Sequence, residues 1–142
     1  MVYEADVERR RMAQVDKSEK ITINIGLIDL GQIDLLVNEG FYANRTDFIR
    51  TAIRRQLETR SGAVDQTVAR RTITLGTQHY SRRDLEQLRA AGRTVELRVL
   101  GLATIDEDVT PDLALATIAS VEVLGAFRAS QAVKAALAPR TV

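Results

Sequence analysis

The sequence predicts an α+β protein in two parts: an N-terminal strand-helix-helix unit that dimerises, and a small C-terminal α/β repeat. Two observations lead to this prediction. A period-two alternation at residues 20–25 gives way to helical periodicity, and hydrophobic-glycine pairs recur farther along at Gly76, Gly101 and Gly125. The first pattern describes a short strand followed by helices, and the second describes a repeating strand-helix unit.

Four segments follow from changes in composition along the 142 residues. We expect a flexible, charged leader at residues 1–19 and the strand-helix-helix domain at residues 20–60. A linker at residues 61–71 then leads to an α/β repeat or assembly domain at residues 72–138. The length suits one or two small domains.

The segment at residues 20–25 reads as a strand with one apolar and one polar face. Three isoleucines alternate with three polar residues, which places Ile21, Ile23 and Ile25 on one side and Lys20, Thr22 and Asn24 on the other. A lone strand leaves its backbone groups without hydrogen-bond partners. A second copy of the chain can supply them, so the sequence predicts an antiparallel two-stranded ribbon in a homodimer.

Two helices are predicted after this strand. Asp29 is the expected N-cap of the first helix, and Gly40 its end. Asn44 is the expected N-cap of the second helix, which should end near Arg60. The apolar stripes of the two helices are Leu30, Ile33, Leu36 and Val37 in the first, and Phe48, Ala52, Ile53 and Leu57 in the second.

The turn Gly40-Phe41 and the run Asn44-Arg45-Thr46-Asp47-Phe48-Ile49-Arg50 follow the alternating strand. Together they resemble the ribbon-helix-helix superfamily of MetJ/Arc/CopG-like DNA-binding proteins over residues 20–57. The resemblance implies that the ribbon enters the major groove of double-stranded DNA. The DNA-binding residues it indicates are Lys20, Thr22 and Asn24 on the strand and Asn44, Arg45 and Thr46 at the second helix, with Ile21, Ile23, Ile25, Phe48 and Ile53 in the dimer core.

The C-terminal region has two alternative interpretations. The regular spacing of Gly76, Gly101 and Gly125 favours a short α/β solenoid of three strand-helix units. The same elements in the order β-α-β-β-α-β would give a ferredoxin-like fold with a hairpin at Leu100-Gly101-Leu102. In either fold the expected buried residues are Leu75, Leu85, Leu97, Val99, Ile118, Val123 and Val133. We expect this region to join dimers into a higher homo-oligomer.

The composition excludes several kinds of chemistry. The chain has no cysteine, and its single histidine, His79, cannot build a transition-metal site alone. The acidic run Asp106-Glu107-Asp108 reads as a charged loop before a helix. We therefore expect no catalytic residues, no metal site, no cofactor and no enzymatic activity. No apolar run is long enough to span a membrane, and a cytoplasmic location is expected.

Two functions from different classes fit the sequence. In the first, the protein is a sequence-specific transcriptional regulator that reads an operator with its ribbon and assembles through its C-terminal domain. In the second, it is a scaffold or antitoxin-like interaction protein whose strand-helix-helix unit serves only as a dimerisation clasp. The formal net charge of +1 favours the second function, and the polar face of residues 20–25 favours the first.

Overall fold

The computed structural model describes residues 17–142, which divide into two compact units. One unit comprises Ser18–Thr67, and the other comprises Val68–Val142 together with Lys17. Most of the predicted leader, residues 1–16, lies outside the described residues. The division falls within a helix and not between two elements.

The N-terminal half of the described chain is helical, and the C-terminal half alternates strands with helices. The helices are α1 (Leu27–Asn38), α2 (Arg45–Thr59), α3 (Ser61–Arg71), α4 (Arg82–Ala90), α5 (Pro111–Thr117) and α6 (Gln131–Leu137), followed by a 3-10 turn at Ala138–Arg140. The strands are β1 (Thr74–Tyr80), β2 (Val95–Ile105) and β3 (Ile118–Arg128).

Helix α1 begins earlier than its sequence predicts. Its N-cap is Gly26, which makes no side-chain capping bond, so the prediction that Asp29 caps this helix is wrong. Asp29 lies instead in the first turn, where an acidic side chain interacts favourably with the helix dipole. Ile33 is the residue of this helix that is buried in the single chain.

The turn between α1 and α2 is fixed by local hydrogen bonds. Gly40 has a φ of 84° and donates its N–H to Val37, while Phe41 donates to Leu36. These two bonds form the Schellman arrangement, which needs a residue in the left-handed region and therefore favours glycine. The predicted end of the first helix at Gly40 is confirmed.

Helix α2 has the predicted N-cap. The Asn44 side chain accepts the Asp47 N–H at 2.8 Å, and the Asp47 carboxylate accepts the Ala43 N–H at 3.0 Å. The edge of the Tyr42 ring also packs on Phe48, with 5.0 Å between centroids. These contacts hold the entry into α2.

The segment 61–71, predicted as a linker, is helix α3. It has no buried residue, and its apolar residues form no continuous stripe, so the sequence offered no packing signal for a helix.

The C-terminal unit contains a three-stranded parallel sheet in the order β1-β2-β3. Strand β2 continues through Leu100-Gly101-Leu102, where the ferredoxin-like alternative requires a hairpin. That alternative also requires antiparallel neighbours, so it is wrong for this unit. The three glycines share one register position, with Gly76 opposite Gly101 and Gly101 opposite Gly125.

Side-chain caps begin all three helices that follow the strands. Ser81 accepts the Asp84 N–H in a capping box, Thr110 accepts the N–H of Leu113, and Ser130 accepts the N–H of Val133. Helix α4 packs against α5, and α5 packs against α6.

The core of this unit lies between the sheet and these helices. Most of the predicted core residues are buried there, but Leu75 is 60% exposed and Val123 is only partly buried. The prediction for Leu75 is wrong because the residue faces away from the helices. The core comprises Leu85, Leu97, Val99, Ala103, Ile105, Val109, Leu113, Ala114, Ile118, Val121, Val133 and Leu137.

The C-terminal tail covers part of the outer edge of β3. Val142 donates its N–H to the Val121 carbonyl at 2.9 Å. Arg140 Nη1 donates to the carbonyls of Leu115 and Ile118 at 2.7 and 2.8 Å. These bonds satisfy backbone acceptors at the end of α5 and the start of β3.

No helix in residues 17–142 has the length and apolar character to cross a membrane.

The glycine row lets the three strands stack closely. Gly101 has a φ of 138°, and a Cβ built there would overlap the Gly76 carbonyl oxygen. Gly125 stands in the same relation to Gly101, while a Cβ at Gly76 would contact nothing. All three positions need glycine for their backbone angle, but only the last two need it for space as well.

This difference gives a graded stability prediction. We expect Gly101→Ala to lower the free energy of unfolding by roughly 2–5 kcal/mol, since it adds overlap to backbone strain. Gly76→Ala should cost roughly 1–3 kcal/mol from strain alone. Gly62→Ala, in helix α3, is the control and should cause no loss. Urea unfolding of each variant measures the series, and equal stability of the Gly101 and Gly62 variants would contradict the stacking argument.

Candidate nucleic-acid interface

The predicted ribbon segment is exposed and belongs to no strand pair of the described sheet. Residues 17–26 contain no helix or strand, and helix α1 follows directly. Lys20, Thr22 and Asn24 are all exposed. Of the alternating isoleucines, Ile21 is 73% exposed, Ile23 is 62% exposed and Ile25 is partly buried.

The remaining predicted dimer-core residues are also incompletely buried. Phe48 is partly buried and Ile53 is 46% exposed, and helix α2 has no buried residue at all. The same unit exposes further large apolar side chains on both helices and on the turn between them. These are Leu27, Ile28, Leu35, Phe41 and Leu57.

The DNA-binding residues predicted at the second helix lie together at the start of α2. Asn44, Arg45 and Thr46 are exposed there. The Asn44 side chain is occupied as the helix cap. The first backbone N–H groups of a helix have no partner within it and, with the helix dipole, form a favourable place for an anion.

Arg45 makes a contact that the sequence did not indicate. Its guanidinium forms a two-pronged ion pair with Asp34 of helix α1, with Nε–Oδ1 at 2.7 Å and Nη2–Oδ2 at 2.8 Å. This geometry fixes the start of α2 relative to α1. The two residues are eleven positions apart on different helices, a spacing that carries no local sequence signal.

The ion pair changes the acid-base behaviour of both groups. The hydrogen bond from Arg45 holds the pKa of Asp34 below its ordinary value, and the same bond raises the pKa of Arg45. Both side chains are largely exposed, so solvent screens their attraction. The pair positions the two helices more than it stabilises the fold.

The polar residues of the C-terminal unit form structural contacts. His79 Nδ1 lies 2.6 Å from Thr104 Oγ1 and its Nε2 lies 3.4 Å from Asp106 Oδ1, which links β1 to the end of β2. Glu122 of β3 forms ion pairs with Arg71 and with Arg98, the latter at 3.2 Å. Within the described part of the chain, no group of His, Asp and Glu residues could hold a metal ion.

The Asp34–Arg45 pair generates a titration prediction. Because the pKa of Asp34 is lowered in the folded state, the pair contributes stability above the ordinary aspartate pKa. That contribution is lost as the pH falls through the lowered value. We expect the titration midpoint of the Asp34 carboxyl carbon, followed by NMR, to rise in Arg45→Gln and to stay unchanged in the control Arg50→Gln. An unchanged midpoint in Arg45→Gln would show that the pair does not form in solution.

Comparison with known proteins accounts for both units. The model of the Ribbon-Helix-Helix transcriptional regulator family matches residues 16–134, which include the predicted ribbon, both of its helices and all three strands of the C-terminal sheet. No curated protein and no solved structure matched the chain. The family match covers well over half of the sequence, so the chain belongs to the ribbon-helix-helix transcriptional regulator family.

Proposed function

We propose that the protein is a sequence-specific DNA-binding transcriptional regulator that reads the major groove with a dimeric antiparallel β-ribbon. The observation that carries this proposal is the alternation at residues 20–25. Its apolar residues Ile21 and Ile23 are exposed in the single chain, and a polar residue follows each of them. A second copy would bury these isoleucines and leave the polar residues facing outward.

The exposed apolar surface supports a dimer. In addition to the isoleucines of the ribbon, helix α2 exposes two large apolar side chains. Leu57 is 58% exposed and Ile53 is 46% exposed. Burying a side chain of this size stabilises a protein by roughly 1.5–3 kcal/mol relative to full exposure. Two ribbon strands packed over four helices would bury these residues together. A two-fold axis through the ribbon would place Ile23 near its own copy.

The outward residues have the chemistry for reading bases. The major groove admits a two-stranded ribbon. Lys20 can donate to guanine O6 and N7, and Asn24 can form a bidentate pair with adenine N6 and N7. Thr22 can donate, accept or contact a thymine methyl group. Each copy supplies one set of these three side chains, so the operator would contain two symmetry-related half-sites.

The start of α2 would bind the DNA backbone. The N–H groups of the first turn suit a phosphate, and the exposed Thr46 hydroxyl can add a donor. Arg45 contributes by holding this turn against α1 through Asp34. Removing either side chain should therefore weaken binding to all sequences alike, because phosphate contacts carry no direct sequence information.

The C-terminal unit would act as a short solenoid that assembles the dimers. Its three strands stack in chain order, as do helices α4, α5 and α6. Repeats of this kind bury a continuous core only when several stack together. A rigid stacked unit can present a flat face to another copy, which supports the proposed role in a higher homo-oligomer.

A second candidate function is a scaffold or antitoxin-like clasp that does not read bases. The charge of the Ser18–Thr67 unit favours it, since 6 Lys and Arg against 7 Asp and Glu give a net charge of −1. Because Arg45 is paired with Asp34, one fewer free cation is available to bind DNA phosphates. Gel shifts with genomic fragments across a salt series separate the two functions, because a DNA reader retains preferred fragments as salt rises.

The dimer predicts a specific failure for Ile23→Asp. The change puts a carboxylate into a core that exists only between two copies, and a buried unpaired charge is strongly unfavourable. We expect loss of the dimer together with helical signal, measured by sedimentation and circular dichroism. The control Thr22→Asp, on the polar side of the same strand, should remain a folded dimer. A folded monomer of the wild type at low concentration would contradict the proposal.

Base reading predicts a selective loss for Asn24→Ala. We expect this variant to lose roughly 1–3 kcal/mol of binding free energy on the preferred site and much less on random DNA. Asn38→Ala, at the exposed end of α1, is the matched control and should bind both DNAs as the wild type does. Fluorescence anisotropy at two salt concentrations measures the difference. Equal losses on specific and random DNA would show that this strand does not read bases.

A further inference from the structure

The sheet of the C-terminal unit has two edges, and only one of them is covered by the chain. At the β3 edge, Thr141 forms a bridge with Val121, and Val142 donates its N–H to the Val121 carbonyl. At the other edge, β1 has no strand beside it, because the described sheet has the order β1-β2-β3. The backbone groups that β1 turns away from β2 therefore have no strand partner in residues 17–142.

Strand β1 lacks the features by which proteins usually block an open edge. Such edges carry a charged side chain, a proline or a bulge. The strand Thr74–Tyr80 contains no Lys, Arg, Asp, Glu or Pro, and it pairs with β2 in unbroken register. Its first four residues, 74–77, are exposed in succession. This edge is therefore open to another strand.

The backbone at Gly76 leaves room for a neighbour that the single chain does not supply. A Cβ built at Gly101 would meet the Gly76 carbonyl oxygen, and a Cβ at Gly125 would meet the Gly101 carbonyl oxygen. Gly76 has a similar backbone angle, with a φ of 128°, but a Cβ there would contact nothing. By the same geometry, that empty position lies beyond β1, on the side away from β2. A strand paired at this edge would need the space that glycine provides there.

The Gly76 carbonyl shows which backbone groups face the open edge. This carbonyl points toward β2, because its oxygen lies beside Gly101. Backbone groups alternate in direction along a strand, so those of Leu75 and Thr77 point to the open edge. Thr77 is the middle residue of β1. A copy of β1 turned about a two-fold axis at Thr77 would exchange two N–H···O bonds with it.

We propose that the free edge of β1 pairs antiparallel with the same edge of a second copy, about a two-fold axis at Thr77. This inference rests on the proposed function, in which the ribbon makes dimers and the C-terminal unit joins them. The register overlaps the whole of β1 and makes one six-stranded sheet from two three-stranded sheets. Thr77 then lies opposite its own copy, and Leu75 lies opposite His79.

The covered edge of β3 selects β1 as the strand that the second copy offers. Binding of β3 to β1 would be a head-to-tail contact that leaves a free edge at each end of the assembly. The bonds of Thr141 and Val142 already occupy part of the β3 edge. Pairing of two β1 edges closes the assembly instead. The uncharged sequence of β1 suits this pairing, because like charges opposite each other on paired strands are unfavourable.

The size of the contact fits an assembly of dimers. Two paired strands bury far less than the roughly 800 Å² per partner that is typical of a stable interface. A ribbon dimer carries two β1 edges, so engagement of one raises the effective concentration for the other. The expected product is a closed tetramer made of two ribbon dimers.

Cross-linking at single cysteines tests the register, because the chain has no cysteine of its own. In Thr77→Cys the two Cα atoms would lie about 5.5 Å apart, within the range that a disulfide spans. Thr74→Cys, exposed on the same strand, is the matched control, since its copy would lie roughly 20 Å away. We expect mild oxidation of the full-length protein to link Thr77→Cys about tenfold faster or more. Equal rates, or no link in Thr77→Cys, would overturn the inference and leave the edge to a different strand.

A charge at the same position tests whether the edge joins dimers. Thr77→Lys would place two ammonium groups opposite each other across the axis, and lysine is a residue that blocks edge pairing. We expect sedimentation equilibrium to give four chains of 15.7 kDa for the wild type and two for Thr77→Lys. Thr94→Lys, exposed before β2, is the control and should remain a tetramer. A wild-type dimer, or an unchanged mass in Thr77→Lys, would overturn the inference.

Failure of the inference and failure of the proposed function give different results. If only the β1 edge is wrong, Thr77→Cys does not link and Thr77→Lys keeps the wild-type mass, while the wild-type protein still prefers specific DNA. If the ribbon is wrong, the wild type shows no preference between specific and random DNA, whatever the cross-linking result. Unfolding curves of Thr77→Lys and Thr94→Lys show whether either substitution acts by damaging the fold.

Discussion

In the ribbon that we propose for residues 20–25, the backbone requires a strand partner, and the described sheet of the same chain does not provide one. That sheet consists of β1, β2 and β3, all beyond Ile73. In the single chain, Ile21 and Ile23 are exposed, and helix α2 has only partly buried and exposed residues. Hydrogen bonding and hydrophobic burial therefore favour the same solution, a second copy across the ribbon. The arrangement proposed for DNA reading depends on it, because the polar residues gain a common outward face only when the strands pair.

The C-terminal unit forms its sheet and its helix caps within the single chain. Glycines in one register row let the strands approach, and side-chain caps start each helix. The family match extends over this sheet as well as over the ribbon, so both units belong to the shared architecture. On this unit, Leu75 and Leu124 remain exposed in the single chain.

Local signals were predictable from the sequence, and contacts between distant residues were not. The caps at Asn44 and Ser81 depend on a side chain and a backbone three residues away, so the sequence contains the whole interaction. The Asp34–Arg45 pair depends on how two helices cross. Leu75 was expected in the core because hydrophobicity alone does not say which face of a short strand meets the helices. The repeat spacing indicated the glycine register, since equal strand-helix units return the chain to the same height.

Amide hydrogen exchange at residues 20–25 tests the central claim most directly. In a paired antiparallel ribbon, the amides that bond to the second copy exchange slowly and the alternate ones exchange quickly. The account predicts this alternation in the full-length protein at concentrations where it is associated, and its disappearance on dilution to the monomer. Uniformly fast exchange through residues 20–25 in the associated protein would show that the copies are held together elsewhere and that no ribbon forms.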